Sequence, residues 1–167
     1  MRKGLIASAS LLISIAAYVG FARAQTPDTA AVPILTWTTM APVTGPYVGT
    51  SNPIRSIPGG GLPWAISGAS GTLMSNGALK IRVRGLVLAA GGAAGTNPIP
   101  FFKGAVSCEI INSSNQADRV NLFTDSFPAD SMGNSTINAM VDLPKPCLAP
   151  IIFVTSPTGA WFAVTGR

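Results

Sequence analysis

The chain contains no histidine, only two cysteines, and few charges: Asp, Glu, Lys and Arg make up 10% of its 167 residues, against about 25% in an average globular domain. Each shortage excludes chemistry. Without histidine the usual general base near neutral pH is missing, and neither a Ser-His-Asp nor a Cys-His arrangement can be assembled. Zinc and copper sites lose their commonest ligand. Six carboxylates (Asp28, Glu109, Asp118, Asp125, Asp130 and Asp142) leave room in principle for a paired-carboxylate hydrolase. The aspartates mostly sit in turn-like stretches, where local backbone hydrogen bonding explains them, and Glu109 alternates out of the apolar face of its run. A non-enzymatic protein without a bound cofactor is the expectation.

The N-terminus carries what the rest lacks, a long uncharged run. Arg2 and Lys3 precede "GLIASASLLISIAAYVGF" (4–21), and Ala22-Arg23-Ala24 supplies small residues before Gln25. This is the three-part pattern of a secretory signal peptide over residues 1–24. The alternative is a retained anchor, since a run of that length is just able to cross a bilayer. Cleavage removes three basic residues, so the mature chain keeps eight Lys/Arg against six Asp/Glu, a net charge of +2. That is far from the strongly basic balance of nucleic-acid-binding proteins. The expected localisation is extracellular or periplasmic, with no nucleic acid among the partners and no membrane span after cleavage. In an oxidising compartment Cys108 and Cys147 are expected to form a disulfide.

Residues 25–62 are broken by Pro27, Pro33, Pro42, Pro46, Pro53 and Pro58, each removing a ladder donor. They read as a Pro/Gly-rich leader or an arm wrapping the domain, with strand character only in "ILTWTTM" (34–40). From residue 63 onward short alternating runs are separated by turn residues, and no window shows the spacing of an amphipathic helix. Residues 63–167 are therefore expected to be all-β: an antiparallel β-sandwich with immunoglobulin-like layering of seven or eight short strands and one disulfide, the alternative being a small β-barrel. Asn76-Gly77 marks a hairpin. "IIFVTS" (151–156) and "AWFAVTG" (160–166) are expected to pair across a Pro-Gly turn.

Within "ALKIRVRGLVL" (78–88), Lys80, Arg82 and Arg84 alternate with Leu79, Ile81 and Val83. A strand puts the cations on one face and the apolar residues on the other. Unbroken alternation would then expose Leu86 and Leu88, so a bulge at Arg84-Gly85 is predicted to return both to the core. The cations make either a solvated face or an anion-binding ladder. Among the tryptophans, Trp161 is expected in the core, and Trp64, beside Pro63 and glycines, is the expected exposed ring. Lys80, Arg82, Arg84 and Trp64 thus form the candidate ligand surface, with polysaccharide or envelope components as partners. "DSFPADSMGN" (125–134) offers oxygen atoms but not the alternate-oxygen spacing of a calcium loop, and reads as a polar turn.

The stretches "IRSIPGGGLPW", "GALKIRVRGLVL", "VSC", "SFPAD" and "VDLPKPCLAPIIFVTSPTGAWFAVTG" together resemble a group of small secreted bacterial single-disulfide β-proteins of unassigned function, over residues 54–166 or so. The resemblance implies export, one disulfide and a single β-domain, and implies no activity. The expected role is a cell-envelope or extracellular structural or binding module, the alternative a carbohydrate- or anionic-polymer-binding sandwich.

Overall fold

Alternation of apolar and polar residues becomes paired strands across the chain. The structure, a computed structural model, describes residues 30–165. Residues 1–24, where a signal peptide is expected, and Asp28 lie outside the described residues. The strands are β1 (Pro33–Trp37), β2 (Met40–Pro42), β3 (Trp64–Ala65), β4 (Gly68–Met74), β5 (Ala78–Arg84), β6 (Val87–Leu88), β7 (Phe101–Ile111), β8 (Ala117–Phe123), β9 (Phe127–Pro128), β10 (Ser135–Met140), β11 (Leu148–Thr155) and β12 (Trp161–Thr165). Eight of them have five residues or more. The other four are two- or three-residue pairings that the sequence pattern does not resolve.

All ladders between strands are antiparallel. One sheet has the order β1-β4-β5-β10. A second runs β2-β12-β11-β7-β8, with β9 added on β7, and β3 and β6 form a small third pair. Neither main sheet closes on itself, so the layers form a sandwich and not a barrel.

The two main sheets differ in how much they bury. In β5 burial alternates strictly, Leu79, Ile81 and Val83 inside and Lys80, Arg82 and Arg84 exposed. That is the signature of a sheet with one face in water. In β11 and β12, Ile152 to Thr155 and Trp161 to Ala163 are all buried, which requires cover on both faces. On the inner face Phe162 and Phe102 meet Trp64, with centroids 4.0 and 6.4 Å from its ring. The same face of β7 faces the four-stranded sheet: Leu79 and Ile81 fill the space over Gly104. On the outer face Trp161 packs on Phe153 and on Tyr47. Tyr47 belongs to the segment 43–61, which is tied to β12 by Val43 N–H to Phe162 O, Trp161 N–H to Pro58 O and Gly60 N–H to Trp161 O.

From Ala31 on, the Pro-rich region runs with the sheets. β1 pairs with β4 and β2 with β12, and the chain from Ala31 onward forms one compact unit. The region is locked by charge. Glu109 on β7 pairs with its Arg55 at 2.9 Å and with Arg119 of β8 at 3.0 Å, while Asn121 donates to the Arg55 carbonyl. The Cys108–Cys147 disulfide joins buried Cys108 of β7 to the connection between β10 and β11.

Candidate anion-binding face

The outer face of the four-stranded sheet is built by the β4–β5 hairpin and flanked by β1 and β10. The hairpin turns at Ser75-Asn76-Gly77, where the Gly77 amide donates to Met74 O and the Asn76 side chain accepts from the Ala78 amide. Register then sets rows across the sheet. Lys80 lies between Thr72 and Asn138, and Thr72 is itself opposite Thr36. Arg82 lies between Ser70 and Thr136, and Arg84 lies opposite Gly68. Every cation therefore has short hydroxyl, amide or glycine neighbours and stands above them. Successive cations are about 7 Å apart along the strand.

Arg82 lines three open cavities along this ridge. One of about 730 Å³ lies on the β10 side against Arg84, Asp130, Asn134 and Thr136. Two of about 270 and 360 Å³ lie on the β1–β4 side against Thr38, Ser70 and Thr72. Among the described residues both ion pairs converge on Glu109, on the other sheet, and none involves Lys80, Arg82 or Arg84. Three like charges in one line repel by about half a kcal/mol per neighbouring pair even at the dielectric constant of water. An anion laid across them relieves that repulsion.

The ridge ends at Gly85, where the backbone turns to φ +61°. β5 stops there, and the chain leaves the sheet to pair as β6 with β3. Leu86 and Leu88 are buried as expected, although the parity is reset by a strand break and not by a bulge within one ladder. The loop 130–134 docks on this corner. The Leu86 amide donates to Gly133 O, the Gly85 amide to the Asn134 side chain, and Asn97 holds Ser131 O and Asp130 O. Gly133 has no room for a side chain, since a Cβ there would overlap the Leu86 carbonyl.

Asp130 is the carboxylate on this wall. It accepts from the Asn134 amide at 2.9 Å, the Met132 amide at 3.0 Å and the Asn134 side chain at 3.0 Å. The Asn134 backbone amide, then its side chain, hold the Asp130 carboxyl below its ordinary value, against a smaller opposing effect of desolvation. These three bonds fold the stretch 130–134 back on the Asp130 carboxylate. Among the described residues no three His, Cys, Asp or Glu side chains gather at one point.

Of the residues singled out in the sequence, Lys80, Arg82 and Arg84 come together and Trp64 does not join them. Trp64 is only 3% exposed, stacked on Phe162 in the core. Its glycine-rich neighbourhood does not expose the ring: Gly60 lies against its indole nitrogen and lets it sink. Trp37 and Trp161 are buried as well, so no tryptophan of the described residues offers a ring for sugar stacking. The flanking Thr36, Ser70, Thr72, Thr136 and Asn138 escape a reading of β5 alone. Their signal is alternation in "GASGTLM" and "STINAM", which becomes informative once the strand order is known. The chain matches no family model, no curated protein and no solved structure. Its function is therefore read from these residues.

Proposed function

We propose that the chain is a non-enzymatic binding module that works outside the cytoplasm and holds an anionic component of the cell envelope or extracellular matrix on the Lys80-Arg82-Arg84 face. The observation that carries this reading is the set of three cations, unmatched among the described residues by carboxylates in ion-pair contact and aligned over small polar side chains, beside a wall held by four hydrogen bonds. Asp130, the carboxylate that shares a cavity with Arg82 and Arg84, makes no ion pair with them and accepts hydrogen bonds from its own loop. Export is supported by the three-part N-terminus and by a disulfide, which persists in oxidising compartments. A binding role agrees with carboxylates already engaged elsewhere, Glu109 by two arginines and Asp130 by amides.

The test is salt-dependent binding to two anionic supports, polygalacturonate beads and acidic vesicles. Wild type is expected to bind at low salt and to be released as salt screens the contact. Arg82→Ala plus Arg84→Ala is expected to weaken binding by roughly tenfold or more, taking about 1 kcal/mol for each cation near an anionic surface. A wild-type chain that ignores both supports at low salt contradicts the proposal.

A further inference from the structure

The rows of the cationic face do not end at Lys80. One row nearer the hairpin turn, Met74 stands opposite Pro33 and Met140 opposite Ala78, an apolar row crossing all four strands beside the first cation. Met140 is 66% exposed, and Ile34, displaced where the β1–β4 register slips, is 39% exposed. An open cavity of about 400 Å³ lies at the step between the two zones, where Lys80 and Asn138 share its wall with Met74, Ala78 and Leu79. Single exposed apolar side chains are ordinary. Here the edge residues of the row, Pro33 and Met140, are exposed and its central Met74 and Ala78 half-buried, in register with cations that form no ion pair among the described residues, which makes a surface of two chemistries.

Resting on the anion-binding reading above, we propose that the anion is the headgroup of an acidic lipid and that the face docks on a membrane surface containing it. Lys80, Arg82 and Arg84 meet the phosphates, and Met140, Met74 and Ile34 reach the boundary between headgroups and acyl chains. Charge complementarity selects this occupant. A hydrophilic polyanion uses the cations and leaves the apolar row in water, whereas an acidic bilayer surface uses both. The polar hairpin tip, with Ser75 and Asn76 exposed, keeps the docking shallow, as expected for a peripheral contact and not a span.

The experiment is sedimentation of the purified chain with vesicles of phosphatidylcholine alone and of phosphatidylcholine mixed with phosphatidylglycerol, with polygalacturonate retention in parallel. Wild type is expected to sediment with the acidic vesicles and not with the neutral ones. Met140→Ser plus Ile34→Ser, both at exposed positions, is expected to weaken acidic-vesicle binding roughly tenfold and to leave polygalacturonate retention and the near-ultraviolet circular dichroism unchanged. Arg82→Ala plus Arg84→Ala is expected to weaken both kinds of binding. Acidic-vesicle binding without polygalacturonate retention also supports the inference. Retention on polygalacturonate without vesicle binding overturns the lipid inference and leaves the anion-binding reading standing. Equal binding to both vesicle types, or acidic-vesicle binding indifferent to Met140→Ser plus Ile34→Ser, overturns the lipid inference too. Loss of every interaction overturns both.

Discussion

Replacing Trp64 with alanine separates a ring held for packing from a ring held for a ligand. The side chain is 3% exposed, stacks on Phe162 with centroids 4.0 Å apart and meets Phe102 edge-on at 6.4 Å. Truncating a buried Trp removes its transfer energy and leaves a cavity, a cost of about 3–5 kcal/mol. The stack on Phe162 places this position toward the upper part of that range. With a urea dependence of about 2 kcal/mol per molar, the unfolding midpoint should fall by roughly 2 M. That is a large share of the roughly 5–15 kcal/mol available to a domain. Trp64→Phe keeps a ring over Phe162 and should lose only about 1–2 kcal/mol. The assay is urea unfolding followed by far-ultraviolet circular dichroism and by tryptophan fluorescence. A Trp64→Ala midpoint within about 1 kcal/mol of wild type, with ligand binding abolished, would refute the packing assignment and return the ring to the surface.

Three further outcomes follow from the same contacts. Reducing the Cys108–Cys147 bond opens a loop with a sequence separation of 39 and should lower stability by up to about 4 kcal/mol, read as a shift of the urea midpoint with and without reductant. Gly85→Ala puts a side chain at φ +61°, where its Cβ would also crowd the Ser67 side chain; a loss of about 1–3 kcal/mol is expected, and an unchanged thermal midpoint counts against the break in β5. Asp130 is held below its ordinary value, so what its charge adds to the docked loop is complete above the unfolded-state value and disappears as pH falls through the lower folded-state value. The amide resonances of Met132 and Asn134 should therefore hold their positions until the pH is below the usual aspartate range; movement above that range contradicts the hydrogen-bonded geometry.

Local chemistry made part of this molecule legible from residues alone. The Asn76-Gly77 hairpin, the alternation of β5 and the burial of Leu86 and Leu88 beyond Gly85 all depend on neighbours a few positions apart, where the pleat dictates which side faces the core. The disulfide needed only two cysteines. Trp64 was misread because its cover, Phe162, arrives from the far end of the chain, while proline and glycine next to it look like surface loop. The place of Arg55 was not readable, since it finds Glu109 on a strand that the local pattern does not associate with it. The cations themselves were visible. The hydroxyl flanks and the apolar row were not, because both depend on the order β1-β4-β5-β10, a non-local property of the sheet.

The most direct measurement is the affinity of wild type and of a charge-reversed variant, Lys80→Glu with Arg82→Glu and Arg84→Glu, for acidic vesicles and for polygalacturonate across a salt series. All three positions are exposed, so the fold should persist in both chains. The expected result is salt-sensitive binding by wild type and none by the variant. Equal binding by the two chains, or binding indifferent to salt, would show that the cationic face is not the site.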